Sequence, residues 1–551
     1  MKFKKFVSIC ILSVLGCWAG GARAAVSFMP VDDLRPGMQG IGKTVISGDK
    51  IEDFNVEILG VNGTVTSGES IFVRLSGDVI DKTGGVIHGM SGSPVYVDGR
   101  LVGAIAFGRA FDDAHYCFLT PIHQMLDLVD EVHYPSDWLP KGTALSAGGF
   151  TDEGFEYLQK RLAKYDLQAV PGGSGAAVSS DFQAGSSVGV SLMNGDLSLG
   201  AIGTVTWVDD AGNLLAFGHP FLKRGMAQFF MNKVWILGTV PNQNSGYKVG
   251  NLGDVAGTVN QDRAAGVCGK VGDPPKSVPV VVNISDFDRG NYQSLNMRIV
   301  EDQLLLPELV DAAVYNSLSK ATNRAGGGTA ALKFTVEAKT PKGERYKVNR
   351  ENMFFGVSKL LKNIDDEMLN SLDVLMWNKF DKLDVERIVV DAKITEDLRV
   401  AEVKEVSVPK RPYRGGDTVP VIVTLKPYRG PDVKRVIDFK IPEKHKGKLT
   451  VCVRGGSSLL WLERLLKKNQ DEQLPLQSKE SKQALKDYVE HLNTGDKNNE
   501  LIIDVGGKNL SVLAKKNEAG LAGLLQGTPA KVKQAYDFIV MGEIELSFDV
   551  K

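Results

Sequence analysis

Short apolar runs separated by glycine- and aspartate-bearing turns dominate the first part of the chain. β-branched and alternating segments predict strands at 44–46, 54–59, 70–75, 95–97 and 101–107. Asp98-Gly99 separates the last two, which is the signal of a two-residue hairpin turn. The period then changes. Ile122, Met125, Leu126, Val129 and Val132 follow at helical spacing, with Thr120 as cap and Pro121 opening the helix.

A second helix is expected over 152–165, with Phe155, Leu158 and Leu162 on one face. Residues 171–176, Pro-Gly-Gly-Ser-Gly-Ala, read as a flexible loop. Strand patterning returns from Val188 to about Ser285, with 201–207 and 213–217 forming a hairpin around Asp209-Asp210-Ala211-Gly212. Beyond about 286 the character changes again. Strands are expected at 332–337, 389–394, 419–425, 435–439 and 449–453, and helices at 358–376, 458–468 and 479–492. This half reads as one or two β-sandwich-like modules with inserted helices. No repeat of 20 to 50 residues runs through the chain.

Composition narrows the class. The length of 551 residues suggests about three or four domains. The 60 glycines suit short strands and tight turns, and a net charge of −1 gives no electrostatic case for nucleic acid or an anionic membrane. Lys2, Lys4 and Lys5, the apolar stretch from Phe6 to Trp18, and Ala22-Arg23-Ala24 form the three regions of a secretory signal peptide. Cys17 is a poor lipobox cysteine because Leu15 fits that motif badly. The mature chain is therefore expected to be exported, periplasmic or extracellular. No later stretch is apolar enough to span a membrane. After removal of the leader, Cys117, Cys268 and Cys452 remain, with no metal-site spacing.

The chemistry concentrates in two strings. Gly89-Met90-Ser91-Gly92-Ser93-Pro94 places a serine between glycines and closes with a proline. Such glycines let the backbone turn tightly and approach a substrate carbonyl, with the amides of Gly89 and Ser91 as oxyanion donors. Ala216-Phe217-Gly218-His219-Pro220-Phe221 supplies an imidazole at the end of a strand. The first string has the G-x-S-G-x-P form found around the nucleophile of chymotrypsin-like serine peptidases. With 83–104, 36–45, 54–60, 203–208 and 257–263, the two strings resemble the SpoIVB peptidase family over about the first half of the chain.

That resemblance implies a mainly β fold: a chymotrypsin-like double β-barrel, followed here by the sandwich-like modules. The expected division is a signal peptide at 1–24 and a serine-half barrel at 25–135. A helical connector with a Gly/Ser loop follows at 136–187. The histidine-half barrel occupies 188–289 and the C-terminal modules 290–551. Two features depart from the family's sporulation member. Ser91 precedes His219, so the two halves are exchanged in order, and no room for a PDZ module is expected before the first barrel.

The expected activity is peptide-bond hydrolysis by an exported serine endopeptidase. Ser91 is the nucleophile, His219 the general base, and Ser93 a structural or pocket-lining neighbour. His88 lies too near Ser91 along the chain to face it easily, and it is read as lining the cleft. The family's acid position falls at Ser76, so Asp78, two residues on, is taken as the third member. Asp81, Asp262 and a Ser-His dyad without an acid are the open alternatives. No zinc-helix motif, Walker loop or dinucleotide fingerprint occurs, and no cofactor or metal is expected. The expected partners are a protein or peptide substrate and an envelope protein held by the C-terminal half. The competing reading is a non-catalytic envelope binding or scaffold protein built on the same fold.

Overall fold

In the computed structural model, Asp98 and Gly99 take φ of 50° and 71°. Positive φ at both central residues is the requirement of a type I′ turn, and the tight hairpin expected there is present. The structure describes residues 26–63, 69–106, 113–130, 144–165, 167–174, 181–241, 246–324, 326–361, 364, 367–378, 381–456, 481–505 and 531–551. The signal peptide expected at 1–24 and the helix expected over 458–468 lie outside these residues.

Six strands close the first barrel: β1 (Gln39–Val45), β2 (Ile51–Asn62), β3 (Ser70–Ser76), β4 (Pro94–Val97), β5 (Arg100–Ala106) and β6 (Tyr116–Pro121). Their order around the barrel is β1-β2-β3-β6-β5-β4. Alternate positions such as Val56, Ile58, Ile71, Val73, Val95 and Ile105 point inward and form its core. Each such side chain, fully buried, contributes roughly 1.5–3 kcal/mol. A short helix, α1 (Asp78–Thr83), precedes the serine loop, and α2 (Ile122–Leu126) follows β6. Pro121 is the N-cap of α2 and makes no side-chain cap bond. Thr120 does not cap this helix. It is still in the β6 ladder, opposite Ala104, and its hydroxyl donates to the carbonyl of Gly218.

The second barrel follows a connector that is itself part of the sheet: β7 (Ala144–Gly148), helix α3 (Asp152–Ala163), β8 (Gln168–Pro171) and β9 (Gly173–Ser174). The helix is the one expected, capped by Thr151, whose side chain accepts from the Gly154 amide. Of the loop expected at 171–176, residues 175 and 176 lie outside the described residues, and Gly172 and Gly173 are instead used for close packing. A Cβ on Gly173 would lie 1.7 Å from Asn251 Oδ1, and Gly173-Ser174 pairs in parallel with Asn251-Leu252.

The barrel strands are β10 (Ser187–Gly195), β11 (Ser198–Val208), β12 (Asn213–Ala216), β13 (Gly225–Val240), β14 (Tyr247–Arg263) and β15 (Gly266–Val271). Because β10 pairs with both β11 and β13, the circuit β10-β11-β12-β15-β14-β13 returns on itself. Two apolar clusters lie between the barrels. One joins Leu101, Ala104, Ile122 and Met125 to Leu215 and Cys268, and the other joins Val45 to Val234, Ile236 and Leu252.

The sheet continues past the second barrel through β16 (Ser277–Asp286), β17 (Asn291–Val300), β18 (Gly328–Lys339), β19 (Arg345–Gly356) and β20 (Asp384–Thr395). β17 pairs with β10 and β16, and β16 runs parallel to β20. Helix α4 (Leu306–Thr322) is buried along most of its length, and α5 (Glu367–Met376) packs beside it. A single core runs from Leu145 to Ile394. The boundary expected near 290 therefore falls inside a hairpin, between β16 and β17.

The remaining strands form the expected sandwich. One sheet has the order β23-β22-β21-β27 and the other β26-β25-β24-β28. Their ranges are β21 (Val400–Ser407), β22 (Thr418–Pro427), β23 (Val433–Lys440), β24 (Gly447–Gly455), β25 (Glu500–Val505), β26 (Lys531–Ala535), β27 (Ile539–Met541) and β28 (Glu543–Val550). Val421, Val423, Phe439, Val451 and Ile503 fill the space between the sheets. Helix α6 (Ser481–Thr494), inserted between β24 and β25, sends Leu485 and Val489 into the larger core.

Candidate active site

Ser91 sits in the turn between α1 and β4, and almost every carbonyl of that turn is tied down. The Lys248 amide donates to His88 O at 2.9 Å and the Ser93 amide to Met90 O at 2.9 Å. The Ile105 amide donates to Ser93 O at 3.0 Å. From β11, the Thr204 hydroxyl donates to Gly89 O and the Thr206 hydroxyl to Gly92 O, both at 2.8 Å. The Thr204 amide donates to Ser91 O at 2.9 Å. The serine loop of one barrel is thus bonded to a strand of the other.

The amides divide into two sets. Those of Met90, Gly92 and Ser93 reach Ile87 O, Ile105 O and Met90 O. Those of Gly89 and Ser91 have no acceptor among the described residues. Geometry accounts for the second set. In a trans peptide the carbonyl and the following N–H point in opposite directions. Anchoring His88 O and Met90 O therefore turns the Gly89 and Ser91 N–H groups the other way. Gly89 and Gly92 hold φ of 98° and 90°. A Cβ on Gly92 would lie 2.4 Å from Phe217 N, so only glycine allows the two motif backbones to meet.

The histidine loop leaves β12 through two consecutive left-handed residues, Phe217 at φ 72° and Gly218 at 65°. A non-glycine residue there costs on the order of 1–3 kcal/mol. The Phe217 ring meets Phe221 edge-on at 6.2 Å, and a Cβ at Gly203 would strike it. Further along, the buried Asp262 carboxylate accepts the amides of Phe221 at 2.7 Å, Leu222 at 2.8 Å and Arg224 at 3.1 Å. Burial pushes this carboxyl up from its ordinary range, and the three amides partly offset the shift.

His219 Nδ1 lies 2.7 Å from Pro220 O. A carbonyl only accepts, so Nδ1 carries the hydrogen and Nε2 keeps its lone pair. Desolvation pushes the imidazole down to about 4, and the charge of a protonated His88 acts in the same direction, while the Pro220 carbonyl opposes them. The ring is therefore neutral at ordinary pH. Burial also lowers His88.

Of the residues expected from sequence, the structure brings the loops of Ser91 and His219 together, with the Gly89 amide beside the serine. Ser93 is fully buried, and its hydroxyl has no partner among the described residues. Asp78 and Asp81 are exposed on α1, and Ser76 is exposed at the end of β3. Asp262 ties down the loop after His219 rather than the imidazole, whose Nδ1 is taken by Pro220. No group of His, Cys, Asp and Glu among the described residues is arranged to hold a metal ion. Cys117, Cys268 and Cys452 are free and buried.

Sequence reasoning missed Lys248. It is 3% exposed, and among the described residues its Nζ meets only hydroxyls, Thr44 Oγ1 at 2.9 Å and Thr204 Oγ1 at 3.3 Å. Its signal was the alternation of β14, in which Lys248, Gly250 and Leu252 share the inward phase.

No curated protein matches the chain, and no solved structure does. The match to a known family covers the serine-bearing barrel and ends before His219, and it supports a serine peptidase function in general terms. Over residues 26–126 the chain is similar to the family described as SpoIVB peptidase S55.

Proposed function

We propose that this protein is an exported serine endopeptidase. Ser91 Oγ gives its proton to His219 Nε2 and bonds to the carbonyl carbon of a peptide. The amides of Gly89 and Ser91 receive the resulting oxyanion. His219 returns the proton to the leaving amine as the peptide C–N bond breaks, and a water molecule then hydrolyses the acyl-enzyme in the same way. The Pro220 carbonyl holds the imidazole tautomer, so the mechanism works as a dyad and Asp78 is dispensable.

The observation that carries this reading is the pair of amides that have no acceptor among the described residues, in a loop whose carbonyls are otherwise anchored. Two donors left free beside a serine are what an acyl-transfer site needs, and an ordinary turn has no use for them. The appended sandwich is assigned to docking of substrate or an envelope partner. The N-terminal charged and apolar segments support export.

The test is hydrolysis of a quenched fluorescent peptide library by the purified protein and by Ser91→Ala. Cleavage lost in the variant supports the reading. Cleavage by neither protein favours the scaffold alternative, in which the fold serves only as a platform; the absence of a carboxylate on His219 Nδ1 favours that reading too.

A further inference from the structure

Lys248 is hard to explain as a core residue. Burying an ammonium without a carboxylate is costly, and buried lysines are normally paired. Among the described residues Lys248 has no ion pair, and its Nζ reaches only the hydroxyls of Thr44 and Thr204. Desolvation accordingly pushes it down from 10.5 to about 7. A methionine or leucine would fill the same inward position of β14 without this cost.

The position of the side chain suggests why a lysine is there. Its stem lies over the serine loop, because a Cβ on Gly89 would come within 2.8 Å of Lys248 Cγ and Cδ. Its backbone amide holds His88 O, which directs the Gly89 N–H away from that bond. Its Nζ donates to Thr204 Oγ1, and Thr204 in turn donates its hydroxyl hydrogen to Gly89 O. The same Thr204 holds Ser91 O through its amide. Lys248 therefore grips both carbonyls that flank the Gly89 Cα, one directly and one through a hydroxyl.

We infer that Lys248 is a positioning residue for the oxyanion donors, fixing the peptides on either side of Gly89 through its main-chain amide and through the Thr204 hydroxyl. It acts through Gly89 and does not touch the substrate. The inference rests on the hydrolase reading above. It goes further by assigning the geometry of the donors to a residue of the opposite barrel.

The test uses a fluorophosphonate probe on the full chain. Ser91 Oγ bonds to phosphorus, fluoride leaves, and His219 accepts the serine proton. Labelling rates and thermal midpoints are measured for the wild type, Lys248→Met, Thr204→Val and Thr204→Ser. Misplaced donors should slow labelling by about tenfold or more in Lys248→Met and Thr204→Val. Thr204→Ser, which keeps the hydroxyl, should label near the wild-type rate. Lys248→Met should also melt at the same or a higher temperature, since it removes an unpaired buried charge. A wild-type labelling rate in Lys248→Met would overturn the inference, whatever Thr204→Val does. So would slowed labelling with a lower melting temperature in Lys248→Met, which would make the lysine a fold residue. If Lys248→Met does not fold, Lys248→Leu decides: slowed labelling at an unchanged melting temperature supports the inference, and a wild-type rate overturns it. A wild type that takes no label overturns the hydrolase reading itself, and this inference with it.

Discussion

The Thr204 amide donates to the Ser91 carbonyl at 2.9 Å across the junction of the two barrels. Neighbouring ties run in parallel, from the Thr206 hydroxyl to Gly92 O and from the Thr120 hydroxyl to Gly218 O. Buried carbonyls left without donors cost about 1–3 kcal/mol each, so these bonds fix the loops far more tightly than either barrel could alone. The serine loop belongs to one barrel in sequence and to both in geometry.

Ser91 and Ser93 should behave differently when truncated. Ser91→Ala should abolish hydrolysis, a loss of at least about 10³-fold. Ser93→Ala should keep most of it, because the Ser93 hydroxyl is buried and bonded to nothing among the described residues. Peptide hydrolysis by the two variants checks this. A dead Ser93→Ala beside an active Ser91→Ala would reverse the assignment.

The pH dependence should reflect a base that stays neutral in mild acid. At pH 5.5 an imidazole of ordinary pKa is about nine-tenths protonated. His219 is held down to about 4, so labelling at pH 5.5 should remain within a few-fold of its rate at neutrality. Lys248 titrates in the same assay near 7, so the Lys248→Met background isolates the imidazole. Stability follows the same shifts. Between about 4 and 6.5 the unfolded chain binds more protons at His219 than the native chain does, so stability falls as pH drops through that window. Lys248 has the same sign between about 7 and 10.5, and that part of the slope should vanish in Lys248→Met. Urea unfolding across pH measures both.

Asp262 should matter as an anchor. Asp262→Asn presents an NH₂ where a carboxylate oxygen accepted an amide, so at least one of the Phe221, Leu222 and Arg224 amides loses its acceptor. The expected loss is about 1–3 kcal/mol, with slower Ser91 labelling as the loop behind His219 loosens. Unchanged melting and unchanged labelling would show that the loop holds its shape without it.

The C-terminal sandwich should be removable at one point and not at another. Ending the chain after Asp397 leaves the main sheet whole but withdraws Leu485 and Val489 from its core, which costs on the order of 3 kcal/mol. Such a truncation should still label at Ser91, with a lower melting temperature. Ending after Asp286 separates β16 from β17 and should not yield a folded protein. Circular dichroism melts of the two truncations check this.

Much of this was legible in the sequence, and what was missed shares one cause. Local hairpins could be read because their turn residues carry the signal, as Asp98-Gly99 and Asp209–Gly212 do. The two candidate strings around Ser91 and His219 were visible as motifs, and the family resemblance implied that they would meet. Long-range pairing left no local trace. The association of β17 with β10 makes 290 a hairpin rather than a boundary. Thr120 looked like a helix cap because its tie to Gly218 lies far off in sequence. Residues 171–176 looked flexible, although Gly172 and Gly173 serve close approach. Lys248 was overlooked because a lysine in a strand is usually read as solvent-facing, and only its phase in β14 contradicts that.

The central claim is that Ser91 is a nucleophile activated by His219. Its most direct test is mass spectrometry of the intact protein and its peptides after reaction with a fluorophosphonate. The account predicts one adduct per chain, on Ser91, that is absent from Ser91→Ala and slowed at least about 10³-fold in His219→Ala, while Asp78→Asn labels normally. An adduct on another residue, or labelling of Ser91 at full rate without His219, would contradict it.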